Sequence, residues 1–152
     1  MTEHAGDYTV VMVTPVSIRF RRADVADRLK AEAGARNVST SALAEELIEE
    51  GLRLRRHPMI VFRDGPSGRR AGLIGGPDVW EVVGGLVGGD VPPEDRIARV
   101  AEHLGLSHQQ IDAVLDYYAD FTTEIDEEIA DNVAAADELE AAWRRRQGLL
   151  AG

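Results

Sequence analysis

Between Val16 and Arg21 apolar and polar residues alternate one for one, with Val16, Ile18 and Phe20 on one side and Ser17, Arg19 and Arg21 on the other. Alternation at period two marks a strand with one covered face and one wet face. Pro15 has no N–H to give to a ladder and sets the start of the paired segment. Before it lie polar residues 1–8 and a β-rich run from Thr9 to Val13. Beyond Arg22 the period changes. Val25, Leu29 and Ala33 recur every four residues, Asp24 suits the dipole of a helix first turn, and the run Gly34 to Asn37 stops the helix. Ser39 is a good N-cap for a second helix. Its stripe is Ala44, Leu47, Ile48, Gly51 and Leu52, and it ends in the basic run Arg53 to His57, which complements the dipole, before Pro58.

Met59 to Leu73 reads as a hairpin, turned at Asp64-Gly65 and Ser67-Gly68. A short helix follows with Val79, Trp80, Val83 and Leu86, broken by Gly88-Gly89-Asp90 and Pro92-Pro93. Another runs from Glu94 to Leu104 and stops at Gly105, and Ser107 caps the next, which continues through Phe121. From Thr122 onward Ile125, Ile129, Val133, Ala136, Leu139 and Trp143 keep helical spacing for about twenty residues. The expected fold is therefore mostly α with minor β, in three parts: 9–57, 58–121 and an amphipathic helix over 122–152.

Composition narrows the function more than the fold. With 152 residues there is room for one ordinary domain or two very small ones. A hydrophobic share of 44% with 29% charged residues belongs to a folded chain rather than a disordered one. The absence of cysteine excludes disulfides, thiolate metal sites and cysteine nucleophiles. No secretory pattern and no long apolar run is visible, so a cytoplasmic protein away from membranes is expected. His4, His57, His103 and His108 are scattered without metal-ligand spacing, and the glycine pairs lack the strand–loop–helix setting of a phosphate cradle. No catalytic pair of carboxylates stands out. Neither an enzyme nor a cofactor or metal is expected.

Charge divides the chain. Up to His57 nine Lys/Arg balance nine Asp/Glu, leaving eight basic and eighteen acidic residues, so the whole net charge of −10 falls from Pro58 onward. Such asymmetry points to two parts with different partners.

A single strand followed by two helices cannot cover its own apolar face, and it leaves its backbone groups unpaired. A second copy resolves both problems. Two strands pair antiparallel across a two-fold axis above four helices, with Val16, Ile18 and Phe20 inward and Ser17, Arg19 and Arg21 of both copies outward. A two-stranded ribbon of this kind fits the DNA major groove, where arginine can bond bidentately to guanine.

In order, length and face assignment, residues 15–56 resemble the ribbon-helix-helix repressors of the Arc/MetJ/CopG type. The resemblance implies a homodimer, or a higher even oligomer, that reads operator DNA bases with Ser17, Arg19 and Arg21. It implies phosphate contacts from Arg22 and from Ser39, Thr40 and Ser41 at the second helix's N-terminus. Residues 59–131, with the Arg69-Arg70 hairpin, "PDVWEVV", "PPEDRIARVAEHLGLSHQQIDAVLDYY" and "EIDEEI", resemble a prokaryotic family of small uncharacterised domains that look like antitoxins paired with PIN-like toxins, of the VapB type.

The helix from Ser107 to Phe121 has a helix-turn-helix rhythm. It carries Asp112, Asp116 and Asp120 and no Lys or Arg, so a packing or dimerisation role is expected rather than contact with a polyanion. The last helix implies a partner-binding tail, with Ile129, Val133, Leu139, Trp143, Arg144 and Arg145 as candidates for contact with a PIN-like ribonuclease toxin. Two alternatives stay open for it: Trp143 in a core, and the arginines serving only the helix dipole. The expected function is the antitoxin of a type II toxin–antitoxin system that neutralises its toxin and represses its own operon. The alternative is a stand-alone ribbon-helix-helix regulator with a C-terminal oligomerisation or sensing domain.

Overall fold

A computed structural model of the chain describes residues 15–66, 68–87 and 91–150. The β-rich run Thr9–Val13, the turn residue Ser67 and the break Gly88-Gly89-Asp90 lie outside the described residues. The fold is mostly helical, with six helices among the described residues and one two-stranded antiparallel sheet. The helices are α1 Ala23–Ala35, α2 Thr40–Arg56, α3 Val79–Leu86, α4 Pro93–Leu104, α5 His108–Asp120 and α6 Thr122–Leu150; the strands are β1 Ile60–Gly65 and β2 Gly68–Leu73. Two compact units divide inside α2, between Glu46 and Leu47.

In the first unit Arg22 is the extended residue ahead of α1, and its guanidinium pairs with Asp24 at 2.7 Å. The helix stops at Asn37, whose φ of 53° is the left-handed conformation asparagine tolerates, while the Val38 N–H returns to the Ala33 carbonyl at 3.0 Å. Ser39 caps α2 as expected: its Oγ accepts the Ala42 N–H at 3.0 Å. Ala33 and Leu43 are the buried apolar residues of this unit among those described.

The second unit holds a continuous core. Register in the hairpin pairs Ile60 with Leu73 and Phe62 with Ala71. Ile60, Ala71 and Leu73 are buried against Val79, Val82 and Val83 of α3 and Val100 of α4. Ile111, Val114 and Tyr117 of α5 and Ile125 of α6 complete it. Local chemistry fixes the helix ends. Arg63 bonds Asp78 Oδ1 at 2.7 Å and the Gly76 carbonyl at 2.9 Å, tying the hairpin to the start of α3. The approach is close enough that a Cβ on Gly72 would lie 2.1 Å from Arg63 Nη2. Gly105 ends α4 at φ 66°, which needs glycine. Ser107 and Gln110 form a reciprocal capping box at α5, with the Ser107 N–H bonded to Gln110 Oε1 at 2.9 Å.

Candidate nucleic-acid interface and projecting tail

The sequence predicts a strand at Val16–Arg21, but residues 15–20 form no strand in the single chain. Val16, Ile18 and Phe20 are 80%, 54% and 45% exposed, and Val38 is exposed as well. Ser17, Arg19 and Arg21 are also exposed, and among the described residues neither arginine has a hydrogen bond or an ion pair. The segment thus presents one apolar and one cationic face, both in solvent. Arg22 differs, because Asp24 already neutralises it with a two-point contact from Nε and Nη2. Ser39 spends its hydroxyl on the α2 cap, and Thr40 and Ser41 lie exposed in the first turn. All seven candidate DNA-contacting residues belong to the first unit.

Farther along α2 the expected apolar stripe is not covered within the chain: Leu47, Ile48 and Leu52 are exposed. The basic run that follows has a structural use its sequence did not suggest. Arg53 Nη1 donates to Tyr117 Oη at 2.9 Å and to Glu124 at 2.8 Å, its Nε bonds Glu49 at 2.7 Å, and its guanidinium carbon lies 4.0 Å from the centre of the Phe121 ring. Burial works against its charge, but the hydrogen bonds it donates to Glu124, Glu49 and Tyr117 outweigh this and hold the pKa above the ordinary arginine value. Burial pushes the Tyr117 hydroxyl up to about 12, although Arg53 opposes the shift. Next to it His57 is buried edge-on to Tyr117 and Phe121, and its Nε2 lies 2.9 Å from Asp120 Oδ2, which also takes Arg56 at 2.8 Å. These partners are more than sixty positions away in the chain. Local periodicity carries no signal for them; only the pairing of a basic helix end with Asp120 and Glu124 on the following helices could have hinted at it.

A second polar group is buried where α6 meets α3. The Glu128 Oε2 and Trp80 Nε1 atoms are buried with no hydrogen-bond partner among the described residues. Burial raises the Glu128 carboxyl to about 7, countered by Arg70 and reinforced by Glu124 and Asp78. Arg70 is itself buried, its guanidinium carbon 5.6 Å from the Trp80 ring centre.

Of the tail candidates, Ile129 packs against the core of the second unit, so the start of α6 is part of that unit. Val133, Leu139 and Trp143 are exposed, which removes the option of Trp143 as a core residue. Arg144 pairs with Glu140 one turn earlier, and Arg145 is exposed. The DNA candidates and the tail candidates thus fall in different units.

A groove of about 430 Å³ runs between α3 and α4, lined by Trp80, Gly85, Val100 and Leu104 with Arg99 and His103 at its rim. Among the described residues no three His, Asp or Glu side chains are grouped to hold a metal ion, and no helix is long and apolar enough to cross a membrane. No known protein family, curated protein or solved structure matches the chain.

Proposed function

We propose that the protein is the antitoxin of a type II toxin–antitoxin system, an operator-binding ribbon-helix-helix dimer whose C-terminal helix engages a PIN-like ribonuclease toxin. One observation carries the DNA-binding part: the segment Val16–Arg21 keeps three apolar side chains and two unpaired guanidiniums in solvent on alternate positions. Burying the apolar set needs a second copy of the same segment. Pairing the two strands then places Arg19 and Arg21 of both copies on one surface, where a base edge can accept two hydrogen bonds from each guanidinium. Ser17 adds a shorter polar contact, and the exposed first turn of α2 offers Thr40 and Ser41 to a phosphate. Arg22, held by Asp24, contributes backbone attraction only by giving up that pair. Binding weakens as salt rises, in proportion to the number of phosphates that its cations neutralise.

The toxin-binding part is supported by the projecting half of α6, where exposed Leu139 and Trp143 sit beside Arg144 and Arg145. Aromatic and arginine side chains together are the usual anchors of a protein interface.

The test is a gel shift with the DNA upstream of the coding frame at low salt. Arg19→Ala is expected to lose on the order of ten-fold or more in affinity, the value of one bidentate guanine contact. Unchanged binding would remove the ribbon from DNA recognition. For the toxin, a 1–132 truncation keeps Ile125 and Ile129 in the core, unlike a cut at 121, and is expected to fold but fail to neutralise a nuclease encoded by the adjacent frame. Full neutralisation by the truncate leaves the stand-alone regulator as the reading.

A further inference from the structure

Past Asn132, helix α6 prolongs the stripe that its first turns bury. Ile125 is fully buried and Ile129 packs on the core. At 3.6 residues per turn, Ala136, Leu139 and Trp143 continue the same line, with Val133 at its edge. Leu139 is 72% and Trp143 59% exposed. A packed stripe that runs on into solvent is a surface awaiting a second helix.

The charges around the stripe select its occupant. At 3.6 residues per turn Glu138 and Arg145 fall on the far side of the helix with Ala134, so the stripe is flanked by an acidic block, Asp137 and Glu140, and a basic block, Arg144 and Arg146, on either side of Trp143. Two such helices laid parallel set like charge on like. Laid antiparallel, each acidic block meets the other's basic block. A partner of uniform charge is repelled by one block or the other, so the segment is best matched by its own reversed copy.

We propose that the projecting half of α6 pairs antiparallel with α6 of a second copy, about a two-fold axis that crosses the stripe between Leu139 and Trp143. In that register Leu139 of each copy packs on Trp143 of the other, and Ala136 lies under the aliphatic stem of Arg146. Ala135 and Ala142 on the flank allow close approach of the backbones. Glu140, already bonded to Arg144 of its own helix, also faces Arg144 of the second copy. This contact is separate from the ribbon and independent of the toxin reading. A protein with both two-fold contacts is an oligomer of even order. A toxin that uses the tail then has to displace the second helix.

The chain has no cysteine, so one introduced thiol reports on the geometry. Full-length Ala142→Cys, treated at micromolar concentration with a short bis-maleimide, is expected to give a covalent dimer. Ala134→Cys, on the opposite side of the helix, is expected to give at least five-fold less, and adding Leu139→Asp to Ala142→Cys is expected to remove the product. Sedimentation of Phe20→Asp with and without Leu139→Asp, the ribbon contact being removed in both, checks the same point through a fall in mass. Equal cross-linking at 142 and 134, an unchanged mass on adding Leu139→Asp to Phe20→Asp, or a 142 cross-link formed solely to a different protein overturns the proposal. Arg19→Ala leaves the cross-link intact, so failure of the DNA reading and failure of this one are told apart.

Discussion

Ile60, Val82, Ile111 and Tyr117 in the second unit are out of contact with solvent, whereas Val16, Ile18 and Phe20 in the first stand in it. Both sets are equally apolar; they differ in whether one chain supplies a lid. In the second unit a hairpin and four helices close around the side chains, and charged pairs such as Arg53–Glu124 seal the rim. The first unit has two helices and an unpaired segment, with Ala33 and Leu43 as its buried apolar residues among those described. Its remaining apolar residues are exposed, and with the proposed second copy on them the stability of the two regions should respond differently to concentration.

The strongest way to break the contrast is Tyr117→Ala, which empties a buried site and removes one of the hydrogen-bond partners of Arg53. A loss of about 3–5 kcal/mol is expected, read by urea unfolding and independent of protein concentration. A loss below 1 kcal/mol, on the order of a surface change, would mean that the second unit does not stand on this core.

Next is Phe20→Asp, aimed at the first unit. It should cost about 1.5–3 kcal/mol per chain of apolar burial and appear as dissociation in sedimentation, with the urea midpoint of the second unit unmoved. If that midpoint shifts by as much as the association does, the two regions are not the separate cases described.

Arg53→Ala comes third. Its side chain is mostly buried but Glu124 is substantially exposed, so solvent screening holds the expected loss to about 1–2 kcal/mol. Retention of full stability would show that the network around Tyr117 is ornamental.

The smallest effect has the opposite sign. Glu128 titrates at about 7 in the folded chain against an ordinary 4.5, so its ionisation opposes folding. The penalty is absent below pH 4.5, grows as pH rises towards 7 and is constant above. Glu128→Gln is therefore expected to stabilise by about 1 kcal/mol at pH 8 and by nothing at pH 4. A pH-independent difference between the two proteins would contradict the burial of this carboxyl.

Much of this architecture could be read in advance, and the exceptions have a common cause. The hairpin was legible because Asp64-Gly65 and Gly68 punctuate two apolar runs, and the stops at Gly105 and Ser107 because each supplies the backbone or cap that a helix end needs. The α2 stripe was placed on Ala44, Leu47, Ile48, Gly51 and Leu52, yet the fully buried residue is Leu43, and Leu47, Ile48 and Leu52 are exposed; spacing identifies an apolar face but not what covers it. The last helix was placed from Thr122 and runs from there, but spacing left open whether it closes its own domain or binds a partner; Ile125 and Ile129 pack in the core, and Leu139 and Trp143 are exposed. That Ser17, Arg19 and Arg21 share one face followed from alternation, and their candidacy for DNA contact from the ribbon-helix-helix resemblance, whereas the contacts of Arg53, His57 and Glu128 followed from neither.

The order of residues by itself determined where the helices and the hairpin run, that Arg19 and Arg21 alternate with apolar residues, and that all the excess acid lies beyond His57. Each of these depends on neighbours a few positions apart, where periodicity, caps and turn residues act. Only the tertiary structure decided which apolar residues are shielded, that the basic end of α2 is neutralised by Asp120 and Glu124, that Glu128 is starved of a partner, and that Leu139 and Trp143 project. Those outcomes turn on contacts between segments far apart in the chain, and desolvation exists only once the chain has closed around a group.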